Sequence, residues 1–282
     1  MAKNKEKILS VVVFIYMICF ILRIFEYFLL RTDETFWGEA FIHKLLGIII
    51  LFATLKIYGF QPAEIGFAKK GVLRRLTEGV VFGLIVFVPA YFTETIIAAM
   101  QGNFETLAVY VSAYSVNGTI GRQTGLLFFL ICIAGNIINV IMEEGLFRGF
   151  FQKMLERKHA FLLSAAIASS LFGLWHIMAP VRSYCDGTMS RSGFIANAVL
   201  LVITSALVGF KFALMTRLTG SLYMAMGHHF TNNAVVNMLH VVSSTGTDSL
   251  MIVRISIAQS ISFIIVWIWY LLARRSHNVC CP

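Results

Sequence analysis

Two adjacent glutamates, Glu143 and Glu144, stand inside an otherwise apolar stretch of this sequence. A charged side chain placed in the hydrocarbon of a bilayer costs about 2.5–3.5 kcal/mol on insertion scales, so such residues usually have a function. Asn136 and Asn139 share a helical face with Glu143, because the three are spaced i, i+3 and i+7. Arg148 follows Glu144 by four residues, the spacing at which helical side chains meet. The pattern predicts a Glu144–Arg148 ion pair and leaves Glu143 free on the asparagine-lined face.

Imidazole and amide groups recur in two later apolar stretches. In the first of these, Phe172 and His176 are four residues apart, so they share one helical face. The second stretch contains two competing pairs with the same spacing: His228 with Asn232, and His229 with Asn233. The face of the His229 pair continues into further polar side chains, those of Asn237 and His240. We favour this pair, because a continuous polar stripe suits the lining of a cavity.

A carboxylate, two imidazoles and an amide are suited to hydrolysis. That reaction needs a base to activate water and hydrogen-bond donors to hold the oxyanion. Glu143 is the candidate base, and His176 can orient the water or assist as an acid. His229 and Asn233 can donate to the oxyanion. This set predicts a hydrolytic site inside a membrane.

A metal-dependent alternative uses three of the same side chains. Glu143, His176 and His229 can bind Zn²⁺ and leave one coordination position open for water. The sequence contains no His-Glu-x-x-His motif, and asparagine is a poor zinc ligand. Zinc is therefore a possible cofactor that the pattern does not require.

The composition places these residues in a membrane protein. Of 282 residues, 58% are hydrophobic and 13% are charged, and the mean hydropathy is +0.80. Soluble domains carry about 25% charged residues. The net charge of +9 does not indicate nucleic-acid binding, because the basic residues fall in short loops between apolar runs. Such a distribution is typical of membrane topology signals.

Eight apolar runs are long enough to span a bilayer: 8–30, 41–58, 79–100, 124–147, 160–179, 194–216, 220–241 and 250–273. We predict an all-α polytopic protein with a single transmembrane domain over residues 1–282. Helices 1–3 occupy residues 1–123, and a catalytic core at residues 124–241 builds its cavity from helices 4, 5 and 7. Basic residues concentrate in every second loop, which predicts that both termini are cytoplasmic. Short loops and the lack of a targeting extension favour a bacterial cell membrane.

Three motifs in order resemble those of the CPBP family, the CAAX proteases and bacteriocin-processing enzymes, also called the Abi family. They are Glu143-Glu144-x-x-x-Arg148, Phe172-x-x-x-His176 and His229-x-x-x-Asn233. The resemblance implies an eight-helix intramembrane endopeptidase in which Glu143 activates water, His176 lies beside it, and His229 and Asn233 hold the oxyanion. Glu144 and Arg148 would be supports, and Phe172 is expected to pack. The implied substrate is a membrane-associated peptide or a lipidated protein.

Two other functions compete with proteolysis. Some bacterial relatives are linked to lipoprotein N-acylation, and others act as non-proteolytic membrane partners, so the same scaffold allows both. A transporter is a third alternative, because polar stripes can line a permeation path. Separately, Arg23, Glu26 and Glu94, near or within predicted spans, indicate a second polar path. The sequence shows neither the repeats nor the interrupted helices that are common in transporters.

Overall fold

The computed structural model describes residues 2–35, 38–112 and 120–279, and within them the chain is mostly helical. The first three long helices are α1 (Ala2–Phe25), which continues as a π-helical turn (Glu26–Leu30), α2 (Ile42–Tyr58) and α3 (Val72–Met100). The next begins as α4 (Leu126–Glu143), continues as a π-helix (Glu144–Phe151) and ends as the short α5 (Gln152–Glu156).

The C-terminal half of the chain supplies the other helices. They are α6 (Phe161–Trp175), α7 (Met178–Cys185), α8 (Arg191–Thr219), α9 (Tyr223–Met238) and α10 (Met251–Val279). Each of the eight predicted apolar runs overlaps one of these helices or helix pairs. The predicted helical fold class is confirmed.

Six helical stretches among the described residues are long and apolar enough to cross a membrane: Lys7–Glu34, Val72–Met100, Leu126–Glu156, Phe161–Cys185, Arg191–Thr219 and Met251–Arg275. A multi-pass membrane protein is therefore confirmed. α2 and α9 have 17 and 16 residues. At 1.5 Å per residue they rise only about 25 Å, less than the roughly 30 Å of hydrocarbon. The count of eight spans stays a prediction.

The fifth predicted helix, 160–179, is interrupted. α6 ends at Trp175, His176 and Ile177 form a turn, and α7 begins at Met178. Pro180 explains the break, because proline lacks the N–H that a continuous helix would donate to the His176 carbonyl. The expectation that no helix is interrupted was wrong, and the break falls at a predicted catalytic residue.

A three-stranded antiparallel sheet, absent from the prediction, is formed by β1 (Phe104–Val109), β2 (Leu239–Ser243) and β3 (Gly246–Thr247). The seventh predicted helix, 220–241, therefore ends at Met238. His240 lies on β2 and does not extend the polar stripe of that helix, so this expectation was wrong. The β-branched Val241 and Val242 that follow it favour a strand.

His240 belongs to a hydrogen-bonded cluster beside this sheet. Its Nδ1 lies 2.6 Å from Asp248 Oδ2, while the Val241 backbone N–H and the Arg254 guanidinium each donate to Asp248 Oδ1 over 3.0 Å. Burial raises the pKa of Asp248, but the hydrogen bonds from His240 and Val241 and the charge of Arg254 outweigh it. The pKa of Asp248 is therefore held below its ordinary value of 3.8.

Helix α9 carries the second predicted histidine motif, and α3 fixes its position through two glycines. A Cβ added at Gly79 would lie 2.1 Å from the Met224 carbonyl oxygen, and one added at Gly227 would lie 2.3 Å from the Leu76 carbonyl oxygen. The two backbones are therefore in contact, as small residues allow in membrane helix packing. α10 packs against α3 and α8, and α6 packs along α8, so the helices around the glutamates support one another.

Candidate active site

The adjacent glutamates lie where α4 changes into the π-helix. Glu143 is the last residue of α4 and Glu144 is the first of the wider turns. π-helical insertions are rare and occur frequently at functional sites. Nothing in the sequence pattern predicted this one. Both glutamates are buried, with 3% and 0% of their surface exposed.

Glu143 is surrounded by donors from four helices. Its Oε1 accepts the indole N–H of Trp175 over 3.0 Å and lies 3.9 Å from Arg23 Nη1. Its Oε2 accepts the Asn139 amide over 3.3 Å and lies 3.7 Å from His229 Nε2. The predicted asparagine face is confirmed by the Asn139 contact. Glu143 is left unpaired by Arg148, as expected, but the Trp175 and Arg23 contacts to its carboxylate were not predicted.

Glu144 pairs with Arg148, as the spacing predicted. Arg148 Nε lies 3.3 Å from Glu144 Oε2 and donates its hydrogen to the Gly209 carbonyl oxygen over 3.2 Å. The guanidinium lies over the Phe172 ring, with its central carbon 3.8 Å from the ring centroid. A buried cation is thus balanced by a buried carboxylate and an aromatic face, which offsets its desolvation.

Glu144 also holds His229, which the sequence did not predict. His229 Nδ1 lies 2.8 Å from Glu144 Oε1. An ionised carboxylate only accepts hydrogen bonds, so Nδ1 carries the hydrogen and Nε2 is directed toward Glu143. The ring stacks on Phe212, with the centroids 5.1 Å apart. The carboxylate–imidazole contact and the stacked ring together orient His229.

The two competing registers of the third motif have different environments. His229 contacts both glutamates, whereas His228 is fully buried between Phe82 and Phe212, at centroid distances of 5.1 and 5.7 Å. Neither ring nitrogen of His228 has a hydrogen-bond partner among the described residues. The geometry favours the His229 register and gives His228 a packing role.

His176 lies in the turn between α6 and α7. Its Nδ1–H donates to the Phe172 carbonyl oxygen over 2.8 Å, which leaves Nε2 available, and the ring interacts electrostatically with the Glu143 carboxylate. The Phe172 ring lies 4.6 Å from the His176 ring and 6.3 Å from the His229 ring, measured between centroids. Phe172 therefore forms a wall between the two imidazoles, consistent with its expected packing role.

Asn233 follows His229 by one turn of α9 and is half-buried. Its Oδ1 accepts a hydrogen bond from the Asn232 amide over 3.2 Å. Among the described residues no direct contact joins Asn233 to Glu143 or His176. Asn233 shares a face with His229, but the structure does not bring it against the carboxylate.

The zinc alternative can be compared with these positions. The Nδ1 atoms of His176 and His229 donate to a carbonyl and a carboxylate, as the outer hydrogen bonds of metal-binding histidines do. However, no group of three or more His, Cys, Asp or Glu side chains in the described part of the chain is arranged to hold a metal ion. Glu143, His176 and His229 as positioned do not fit zinc, and a zinc requirement stays a prediction.

Two residues at the site were not predicted to act there. Trp175 precedes His176, and no spacing rule links an indole to a carboxylate on another helix. Arg23 was detectable as a charge in an apolar run, but it was assigned to a second polar path with Glu26 and Glu94. Those two acids have other partners. Glu26 lies 2.5 Å from His43 Nδ1, and Glu94 accepts from Arg254 over 2.8 Å.

Comparison with known proteins agrees with the motifs. Residues 125–235 match the family described as Rce1-like, type II CAAX prenyl endopeptidase. The matched segment begins just before α4 and ends within α9, so it contains both glutamates, Phe172 on α6, His176 in the following turn, and His229 and Asn233 on α9. The match confirms the family resemblance and supports an intramembrane CAAX endopeptidase. No curated protein matches the chain.

Proposed function

We propose, with the Rce1-like match as the premise, that this chain hydrolyses a peptide bond within the membrane and that Glu143 activates the water. The contact of His229 with both glutamates supports this most directly: Nδ1 lies 2.8 Å from Glu144, and Nε2 lies 3.7 Å from Glu143. A base, a proton donor and a carboxylate that orients the donor are thus assembled from two helices. Structural ion pairs alone do not need this arrangement.

In the proposed reaction, Glu143 accepts a proton from water while the water oxygen bonds to the scissile carbonyl carbon. The electron pair of the C=O bond moves to oxygen and forms an oxyanion. When the C–N bond breaks, the proton held by Glu143 passes to the leaving nitrogen, and Glu143 returns to its ionised form. Positioned acid–base groups of this kind contribute about 10²–10⁴-fold to a rate.

The other residues stabilise charge around this step. Protonated His229 donates through Nε2 to the oxyanion, while Glu144 accepts its Nδ1–H and balances the positive ring. The Asn233 amide is a second oxyanion donor. His176 holds the water through Nε2, because its Nδ1 is bound to the backbone. Arg148 keeps Glu144 ionised. Preorganised donors of this kind are worth about 10²–10³-fold each in acyl-transfer enzymes.

The substrate that suits this site is a membrane-associated peptide, such as the tail of a lipidated protein. A buried carboxylate in a membrane helix can act only on a bond that enters from the bilayer or along the protein. Nucleic acid is not a proposed partner. We place the enzyme in a bacterial cell membrane with both termini in the cytoplasm, following the distribution of basic loops.

The test is a comparison of membrane peptides from cells that produce the wild type or Glu143→Gln. Glu105→Gln is the matched control, because Glu105 is exposed on β1, away from the site. We expect Glu143→Gln to accumulate uncleaved substrate with unchanged membrane expression, and Glu105→Gln to behave as the wild type. Addition of a zinc chelator in parallel tests the metal alternative.

The outcomes separate the competing functions. Normal cleavage by Glu143→Gln would refute the proposal. Loss of acyl groups from membrane lipoproteins, with unchanged peptide lengths, would identify acyl transfer instead. Chelator-sensitive cleavage would show that the reaction requires a metal.

A further inference from the structure

A chain of polar side chains crosses the apolar interior between α8, α10 and α9. Lys211 Nζ on α8 donates to Gln259 Oε1 on α10 over 2.6 Å. Gln259 Nε2 donates to Asn232 Oδ1 on α9 over 2.7 Å. Asn232 Nδ2 donates to Asn233 Oδ1 over 3.2 Å. A hydrogen-bond chain of four side chains therefore runs from the buried Lys211 to the Asn233 amide of the third motif. α10, which supplies Gln259, lies outside the matched segment.

Lys211 is costly to keep in this position. It is fully buried on a candidate membrane span, and an ammonium there loses its hydration. Its hydrogen-bond acceptors among the described residues are neutral, namely Gln259 and the Ser262 hydroxyl at 2.9 Å, and its Nζ lies 4.8 Å from the Phe212 ring centroid. No carboxylate in the described chain forms an ion pair with it. A residue that only joined helices would not need a charge.

The charge does one thing that a neutral side chain cannot do. An ammonium has three donors and no acceptor, whereas each amide has both and can be reversed. In its protonated form Lys211 therefore forces Gln259 to present its oxygen, which turns the Gln259 N–H group toward Asn232. The same constraint passes from Asn232 to Asn233. Every link donates in one direction, and the chain ends on the Asn233 oxygen.

We propose that Lys211, Gln259 and Asn232 are positioning residues that fix the orientation of the Asn233 amide. With its oxygen engaged by Asn232, Asn233 keeps its N–H₂ group free on the face of α9 that it shares with His229. A reversed Asn233 would present an acceptor to the oxyanion and repel it. This inference rests on the proposed oxyanion role of Asn233 and adds the residues that determine which end of its amide is used.

The decisive comparison is Gln259→Glu with Gln259→Leu. Beside the Lys211 ammonium the new carboxylate stays ionised, so it accepts from Lys211 but cannot donate to Asn232. Asn232 then turns its N–H₂ group toward the carboxylate, and Asn233 reverses in response. Leucine breaks the hydrogen-bond chain but does not reverse the Asn232 and Asn233 amides. We expect kcat to fall about 10²-fold or more for Gln259→Glu, as for loss of an oxyanion donor, and only about 10-fold for Gln259→Leu, with KM unchanged in both.

If Gln259 had only a structural role, the opposite order of activity would be expected, with a higher kcat for Gln259→Glu than for Gln259→Leu. Glutamate would convert the α8–α10 contact into an ion pair and preserve the packing, whereas leucine would strand a buried lysine. A more active Gln259→Glu than Gln259→Leu would therefore overturn the inference. Should either variant fail to fold, Asn232→Asp and Asn232→Leu make the same comparison one link further on, with the same expected order. Thr204→Val is the matched control, because Thr204 is exposed on α8 and bonds only to its own helix.

A double-mutant cycle separates this inference from the proposed function. If the hydrogen-bond chain acts through Asn233, the double variant Asn233→Ala with Gln259→Glu should have the same kcat as Asn233→Ala alone. Independent, multiplicative losses would overturn the positioning role. Normal cleavage by Asn233→Ala would refute the oxyanion role itself. If the Gln259 variants kept the wild-type kcat while Asn233→Ala lost activity, the proposed function would stand. Only the positioning role of the hydrogen-bond chain would then be refuted.

Discussion

Substitution of Glu144 by glutamine should separate the two contacts that its carboxylate makes. Glutamine keeps the shape of the side chain but removes its charge. Arg148, which is 1% exposed, then remains buried without an anion. Removal of one partner of a buried ion pair costs about 3–5 kcal/mol of stability. At the other contact, a glutamine amide can donate to His229 Nδ1, which reverses the tautomer that Glu144 imposes at 2.8 Å.

The second substitution in this design is Arg148→Gln in the Glu144→Gln background. The double variant no longer contains an unpaired guanidinium, so we expect most of the lost stability to return. Activity should not return, because His229 still lacks its carboxylate. Loss of the orienting carboxylate in a carboxylate–histidine pair lowers kcat by about 10⁴-fold in serine proteases, and we expect at least about 10²-fold here.

The assay uses the purified protein in detergent, with thermal melting for stability and cleavage of a quenched fluorescent peptide, derived from the identified substrate, for activity. Glu144→Gln should lose both, and the double variant should recover only the melting temperature. Recovery of cleavage in the double variant would show that Glu144 acts only through stability. Its assigned role in orienting His229 would then be wrong.

Three further predictions follow from contacts around the glutamates and the sheet. Trp175→Phe keeps an aromatic ring but removes the N–H that donates to Glu143, so kcat should fall about 10-fold or more, the value of a hydrogen bond to a charged group. The smaller ring also leaves a cavity at this buried position, so the melting temperature should fall as well. Gly209→Ala places a Cβ 2.8 Å from the Arg148 guanidinium, so melting should show a loss of about 1–3 kcal/mol. Folding lowers the pKa of Asp248 below its ordinary value of 3.8. The ionised carboxylate therefore stabilises the fold above pH 3.8, and this stabilisation is lost as the pH falls through the folded-state pKa. Asp248→Asn should lower the melting temperature more at about pH 6 than at about pH 3.

Each of these has a defined contrary result. An unchanged kcat for Trp175→Phe would mean that the indole does not hold the base in place. Gly125→Ala is the control for Gly209, since its nearest contact would be an ordinary 3.5 Å to Phe128, and equal losses in the two variants would contradict the steric argument. Equal destabilisation of Asp248→Asn at both pH values would show that its ionisation does not contribute.

Local spacing predicted the contacts that lie within one helix. Asn139 meets Glu143, and Glu144 meets Arg148, because helical geometry fixes which residues share a face. The apolar runs likewise predicted where helices occur. Neither inference needs any knowledge of how the helices pack.

Contacts between helices were not predictable from spacing. Trp175 reaches Glu143 across 32 positions, and His229 reaches Glu144 across 85. The π-helix that starts at Glu144 has no composition signal, because its stability depends on packing against neighbouring helices. The break at His176 did have a signal in Pro180, which lies four residues beyond His176 and cannot donate the helical hydrogen bond to its carbonyl.

In the proposed mechanism the two adjacent glutamates have different roles, and these roles set conflicting requirements. A water-activating base must take up a proton and release it again; the hydrogen-bond donors of Glu143, Asn139 and Trp175, are neutral, and its nearest fixed cation, Arg23, lies 3.9 Å away. A carboxylate that stabilises a protonated imidazole must stay ionised throughout, which the fixed Arg148 cation ensures. One carboxylate cannot meet both conditions. Their placement on either side of the change from α-helix to π-helix lets neighbouring residues face different partners while His229 contacts both.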